Sequence, residues 1–328
     1  MNRDNFKKKD TLIYAEGSPS IGFGHLFRMK NLIANLNLTN AFCLIENSYQ
    51  HDFFSSFGIP SIKLLELMDS ANSFSFNSFL IDSKENRSEL IKSINAKRKI
   101  LFDSSNVEPG IIDLIISPSF FHSKSLPPRL KDTEHLFGPE YVILDKRIRD
   151  NHLHFEKQKL VISFGGSDPN NLSLLILERL SKTSLLDDIL LILGPGYSHD
   201  LTLLYQYLDK KQIIRNPKNI FDLFRTAFFV ITALGVTLQE LRYLNVETGI
   251  IYNYASDLDD INQINHYFES NKEDTHFYNF GYYKEIQAEK LIKTIKTFKK
   301  LKPKKIYNND IGSAWFDRKI VNKIINHE

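Results

Sequence analysis

His25 stands in Ile21-Gly-Phe-Gly-His-Leu-Phe-Arg28, after an apolar run at 12–15 and at the head of a helix-like pattern. That order reads as a strand, a glycine turn and a helix start. Gly22 and Gly24 permit positive φ and a close approach of backbone to ligand, and the N–H groups of the next turn can receive an anion. A histidine in such a mouth suits proton transfer near neutral pH. The same letters fit a histidine that only helps to cap a helix. Two further turns of this kind lie in the second half of the chain. Leu160-Val-Ile-Ser-Phe164 leads into Gly165-Gly-Ser-Asp-Pro-Asn-Asn171, where Gly165, Gly166 and Ser167 offer N–H groups and a hydroxyl to a phosphate. The alternative there is a tight turn with Ser167 or Asp168 capping the helix. Phe228-Phe-Val-Ile-Thr232 leads into Ala233-Leu-Gly-Val-Thr-Leu-Gln-Glu-Leu241. Here Gly235 begins a small-residue turn, Thr237 suits a phosphate and Glu240 a pair of ribose hydroxyls, while Thr237-x-x-Glu240 equally fits a capping box.

Positioning these residues requires a regular scaffold. Leu26, Met29, Leu32, Ile33 and Leu36 fall at helical spacing, so the segment after His25 has one packed face. Short apolar runs recur at 41–45, 61–65, 79–81, 99–102 and 111–116, with polar segments of helix length between several of them, as at 86–96. That alternation predicts a parallel sheet with helices on both faces. Ligands of such sheets lie beyond the carboxyl ends of the strands, which puts the loops beginning Glu16, Asp82 and Asp103 along one rim. Each acid also fits an ordinary helix cap. From 117 to 158 the rhythm breaks, with Pro118, Pro127, Pro128 and Pro139 and the block Gly138-Pro-Glu-Tyr141. Two α/β domains are therefore expected, at 1–156 and 157–328. The second continues with a strand at 189–193 and Gly194-Pro-Gly196, a short helix at 221–227, and a strand at 248–252. A helix follows at 257–267 with Asn262 and Gln263 at its middle, then a strand and turn at 278–283. Lysine-rich helices at 284–300 and 311–326 close the chain, with Trp315 as a core anchor.

Composition excludes several classes. A chain of 328 residues, 42% apolar and 25% charged, is long enough for two globular cores. Its net charge of +3 comes with lysines spread along the chain and no basic block joined to stacking aromatics, so nucleic-acid binding is not indicated. The single Cys43 excludes an intrachain disulfide framework and fits a reducing compartment. Lys7-Lys-Lys-Asp10 precedes an apolar run too short for a signal-peptide core or a membrane span. The expectation is a soluble, cytoplasmic monomer with no stable membrane insertion. His152 and His154 lie in an unpatterned linker, and no Cys/His cluster has metal-ligand spacing. Gly22-Phe-Gly24 is followed by His25 with no third glycine in place, so a nicotinamide cofactor is disfavoured and none is expected.

In order along the chain, Ile21-Gly-Phe-Gly-His-Leu-Phe-Arg28, Gly138-Pro-Glu-Tyr141, Ser163-Phe-Gly-Gly-Ser-Asp-Pro169, Gly235-x-Thr-Leu-x-Glu-Leu241, Asn262-Gln263 and Asp310-Ile-Gly312 resemble the PseG family. That resemblance implies two Rossmann-like domains with parallel sheets facing a cleft, the GT-B architecture. It implies hydrolysis of UDP-2,4-diacetamido-2,4,6-trideoxy-β-L-altropyranose, a step of pseudaminic acid biosynthesis. UDP would be held by the C-terminal half and the sugar would face the N-terminal half. His25 matches the base that activates water. Gly22, Gly24, Arg28 and Asp82 fall in the matching substrate-side blocks. Gly165, Gly166, Ser167, Gly235 and Thr237 match the diphosphate turns, Glu240 the ribose, and Asn262 with Gln263 the sugar side. The chain departs from the pattern at Lys84, where the family has a tyrosine and where a cation at the rim is expected to meet a sugar carboxylate or the diphosphate unless it simply points to solvent, and at Glu16, where it has an aspartate. Leu234 and Val236 replace smaller or hydroxyl residues. The alternatives are a GT-B glycosyltransferase, with an acceptor hydroxyl in place of water, and an inactive sugar-nucleotide binding protein.

Overall fold

In a computed structural model of the protein, the described residues are 11–18, 21–68, 75–118, 126–138, 141–149, 156–255, 257–271 and 277–301. They divide by packing into two units.

The first unit is built on a parallel sheet whose central strands carry apolar runs buried on both faces, as cover by helices requires, and whose edge strands are only half-buried. The strands are β1 (Thr11–Ala15), β2 (Ala41–Ile45), β3 (Ser61–Lys63), β4 (Phe76–Asp82), β5 (Ala96–Phe102), β6 (Leu114–Ser117) and β7 (Glu134–Phe137). All pairings are parallel, in the order β3-β2-β1-β4-β5-β6-β7. The order reverses between β1 and β4, where Ala15 is in register with Asp82. The helices of this unit are α1 (Gly24–Asn35), α2 (Ser48–Ser56), α3 (Leu64–Met68) and α4 (Ser88–Ser93). On α1, Leu26, Met29 and Leu32 are fully buried, the face that the apolar spacing predicts. A Cβ on Gly17 would stand 2.3 Å from Leu26 Cδ1, so a glycine at the exit of β1 is what lets α1 close onto the sheet. A reciprocal capping box fixes α2: Gln50 N–H donates to Asn47 Oδ1 (3.0 Å) and Asn47 N–H donates to Gln50 Oε1 (3.1 Å). Gln50 Nε2 also donates to the last carbonyl of β1, that of Ala15, at 2.7 Å.

The second unit repeats the plan. Its strands are β8 (Lys159–Ser163), β9 (Ile189–Leu193), β10 (Ile213–Arg215), β11 (Ala227–Thr232), β12 (Thr248–Tyr252) and β13 (Phe277–Tyr282), parallel in the order β10-β9-β8-β11-β12-β13. Here the order reverses between β8 and β11. Helices α5 (Leu172–Leu180), α6 (Leu201–Leu204), α7 (Ile220–Arg225), α8 (Val236–Tyr243), α9 (Asp257–Asn271) and α10 (Ala288–Lys300) complete it. Leu160, Ile162, Phe229 and Ile231 of the sheet share a core with Leu172 and Ile176 of α5 and Leu291 and Ile295 of α10.

The packing division falls between Asp145 and Lys146, earlier than the boundary expected near 157. Lys30 Nζ pairs with Asp145 at 2.8 Å and Asn35 donates to the Leu144 carbonyl, which keeps that segment on the first unit. Immediately after it, Arg225 donates to the Ile148 carbonyl and Arg147 to the Lys218 carbonyl, which ties 146–149 to the second. Residues 21–24 also group with the second unit. Two strands were not foreseen, β7 and β10. Both are short sheet edges with half-buried, partly charged residues, so neither carries an apolar run. The helix expected at 86–96 is shorter because β5 already begins at Ala96. Pro139, Glu140, His152, His154, Asp310-Ile-Gly312, Trp315 and the helix expected at 311–326 lie outside the described residues.

Candidate active site

The switch point of the first sheet holds a cluster of buried charge. His25 and Arg28 are three residues apart on α1 and so project from one face of its first turns. Asp82 ends β4, and Asp103 follows β5 in a left-handed conformation (φ +60°) that a short polar side chain tolerates. Asp82 Oδ1 lies 2.7 Å from His25 Nδ1 and 2.7 Å from Arg28 Nη2, and Asp82 Oδ2 accepts from Arg28 Nε at 2.7 Å. Arg28 Nη1 pairs with Asp103 Oδ2 at 2.8 Å. Arg28 Nη2 also stands 3.1 Å from His25 Nδ1. Nδ1 cannot both accept from a guanidinium and give a proton to a carboxylate. The shorter contact with an anion decides for Nδ1–H donating to Asp82, since charge-assisted bonds are the shorter and stronger ones. The tautomer that results carries its lone pair on Nε2, the arrangement of a histidine base held by a carboxylate.

Electrostatics keeps the cluster in that state. Burial alone would raise the Asp82 pKa, but Arg28 and His25 outweigh it and hold the carboxyl down to about 2. Burial would likewise lower the Arg28 pKa, and Asp103 and Asp82 together drive it up instead. The polar atoms of Arg28 and Asp82 bond to each other, to His25 and to Asp103, so both side chains lie against the imidazole.

Beside this cluster Glu16, at the exit of β1, is 2% exposed. Its backbone N–H donates to the Asp82 carbonyl at 3.0 Å. Its carboxylate takes the Ser83 hydroxyl and Arg87 Nη2 (3.2 Å) on Oε1 and the Lys84 N–H (3.0 Å) on Oε2. Glu16 therefore holds the loop after β4, and Lys84 lies on that loop, exposed. Of the two glycines at the first turn, Gly22 takes positive φ (+93°), whereas Gly24 is already the first residue of α1 with ordinary φ. The expectation of positive φ at both is corrected accordingly.

The two glycine turns of the second unit flank its switch point and differ in kind. After β8, Gly165 has φ +77° and the Gly166 carbonyl accepts from Gly196 N–H at 2.8 Å. A Cβ on Gly194 would stand 2.4 Å from the Gly165 carbonyl oxygen, which explains the glycine at that position. Ser167 is buried. The start of α5 is closed by Asp168, whose Oδ1 accepts from Leu172 N–H (2.7 Å) and Oδ2 from Ser173 N–H (2.9 Å). Of the two readings of this turn, the capping one holds for Asp168, and those N–H groups are taken. After β11, by contrast, α8 starts at Gly235 with no side-chain cap. Thr237 is inside the helix, so the capping box Thr237-x-x-Glu240 does not form; Thr237 and Glu240 instead lie half-buried one turn apart on α8. Leu234 and Val236 are half-buried on either side of Gly235. Asn262 is exposed and Gln263 half-buried on α9, between Ile261 and Ile264, which face the core.

The geometry can be set beside known proteins. No protein-family model matches the chain. MurG of Acinetobacter baumannii superposes with a TM-score of 0.55 at 11% identity, over 98% of this chain and 95% of that one. The spinosyn rhamnosyltransferase SpnG complexed with spinosyn aglycone superposes with a TM-score of 0.53 at 12% identity, over 97% and 94%. The fold is that of the GT-B glycosyltransferases. At such identity the likeness extends to fold alone. In sequence, an uncharacterized protein of Methanocaldococcus jannaschii is 24% identical over 273 residues, 73% of this chain and 55% of that protein. The chain thus spans about half the length of the curated relative it matches. No described helix is long and apolar enough to cross a membrane.

Sequence reasoning had Asp82 and Asp103 on the rim but did not pair them with His25 and Arg28. The signal that could have done so is the i, i+3 spacing of His25 and Arg28 next to two strand-terminal acids. Gly17 was missed outright, although a glycine between a strand and a glycine turn is a cue for close helix approach.

Proposed function

We propose that the protein is a nucleotide-sugar hydrolase of PseG type, with the second unit holding UDP and His25 of the first acting as base at the sugar. The observation that carries this reading is the 2.7 Å bond from His25 Nδ1 to Asp82, which leaves Nε2 as proton acceptor. In the step, Nε2 takes a proton from water as the oxygen attacks the anomeric carbon. The bond from that carbon to the diphosphate oxygen breaks, and UDP leaves with the electron pair. A diphosphate is a stable anion and needs N–H dipoles more than a general acid. The start of α8, with Gly235 and no side-chain cap, is suited to supply them, and Glu240 one turn on is suited to the ribose. The PseG resemblance supplies the finer assignment, a UDP-linked 2,4-diacetamido-2,4,6-trideoxyhexose in nonulosonic acid biosynthesis.

A transferase reading keeps the same residues and replaces water by an acceptor hydroxyl; the names of the superposed GT-B proteins favour it. Incubation with a panel of UDP- and CMP-sugars, followed by NMR, separates the two. Hydrolysis predicts free UDP and reducing sugar with no acceptor added. Release only in the presence of an acceptor would replace hydrolysis by transfer, and no release from any UDP-sugar under either condition would overturn the reading.

A further inference from the structure

We infer that Lys84 is a specificity-determining residue that recognises an anionic oxygen group of the substrate, either a carboxylate on the sugar or the diphosphate. The inference rests on the nucleotide-sugar reading. Lys84 is exposed, yet both of its backbone polar groups are taken by side chains of neighbouring rim loops. Its N–H donates to Glu16 Oε2 at 3.0 Å, from the loop after β1, and its carbonyl accepts from Asn106 Nδ2 at 3.3 Å, from the loop after β5. Ser83 Oγ donates to Glu16 and receives the Glu85 N–H at 3.1 Å, which fixes the chain on both sides of Lys84.

The charges around it point the same way. Arg87 engages three carboxylates, Glu16 at 3.2 Å, Glu85 at 3.0 Å and Glu46 at 3.5 Å. Glu46 also accepts from Tyr14 Oη at 2.7 Å. Among the described residues the Lys84 ammonium makes no ion pair. It follows Asp82 by two residues, and two residues of chain span at most about 7 Å, so the cation belongs to the rim on which His25 is held. Arg28 and Arg87 on this rim are already paired with carboxylates, so Lys84 is the cation placed to meet an arriving anion.

The test uses the full chain and its Lys84→Gln and Lys84→Arg variants, with calorimetric titration of UDP, UDP-glucose and UDP-glucuronate. Thermal unfolding confirms that the variants fold. If the group recognised is a sugar carboxylate, wild type prefers UDP-glucuronate to UDP-glucose by about tenfold, the size of one charge-assisted hydrogen bond. Lys84→Gln then abolishes the preference, Lys84→Arg retains it, and UDP affinity is unchanged. If the group is the diphosphate, Lys84→Gln weakens all three ligands alike. Equal affinities of wild type and Lys84→Gln for every ligand would overturn the inference while leaving the nucleotide-sugar reading intact. Failure of wild type to bind any of the three would overturn both.

Discussion

At the β1–β4 switch point the first unit gathers charged side chains: His25, Arg28, Asp82 and Asp103 share bonds of 2.7–2.8 Å. At the β8–β11 switch point the second unit works with backbone. One carboxylate, Asp168, caps α5, and α8 opens at Gly235 with no side-chain cap. The two buried aspartates make the contrast sharp. Burial raises both pKa values, but Asp82 has a guanidinium beside it and ends near 2, whereas Asp168 has mainly N–H donors and stays above its ordinary value. The comparison teaches that a strand, a glycine turn and a helix form a neutral scaffold. A proton-transfer site needs charges locked around an imidazole, and a phosphate site needs helix N–H groups that no side chain has claimed.

Removing the locking charge is the severest way to disturb this contrast. Asp82→Asn leaves Arg28 facing a neutral amide in a buried place, and we expect a loss of about 3–5 kcal/mol in urea unfolding. The pH dependence should show the same group. Its folded pKa of about 2 lies below the ordinary 3.8, so the ionised form stabilises the fold. That contribution is complete above the unfolded value and disappears as pH falls from about 4 through about 2, on the order of 2 kcal/mol. Wild type should show this acid limb and Asp82→Asn should lack it.

In the second unit Glu240→Gln should weaken UDP binding by about 1–3 kcal/mol, the range for a hydrogen bond to a charged group, with little change in the Tm of the unliganded protein. Calorimetry with UDP and thermal unfolding together check this; a fall in Tm with unchanged affinity would make Glu240 structural. Asp168→Ala should do the opposite, costing about 1 kcal/mol of stability through the lost cap while leaving UDP affinity as it was. Weaker UDP binding in that variant would mean that the β8–α5 turn also holds the nucleotide, and would erase the distinction between the two helix starts.

The alternation of apolar runs and helix-length segments was enough to read two parallel sheets, because strands buried on both faces carry no polar interruption. The edges β7 and β10 were not legible for the converse reason: half-buried strands containing Glu134, His135 or Arg215 look like loops. His25 was legible from its glycine turn. Its partners were not, since Asp82 is 57 residues away and nothing local marks a strand-terminal acid as the orienter of an imidazole rather than a cap. At Asp168 and Thr237 the letters allowed capping and ligand binding alike, and the Asp168 carboxylate on the first N–H groups of α5, against the missing side-chain cap at Gly235, decided which helix end stays open.

The claim on which the account stands is that proton transfer belongs to His25 and nucleotide holding to the second unit. His25→Ala measures it directly, with turnover of the UDP-sugar followed by NMR and UDP affinity by calorimetry on the same preparation. The expected result is a fall in kcat of about 10²–10⁴, the contribution of a general base, with the Kd for UDP within about twofold of wild type. Turnover close to wild type, or loss of UDP binding in step with activity, would contradict it.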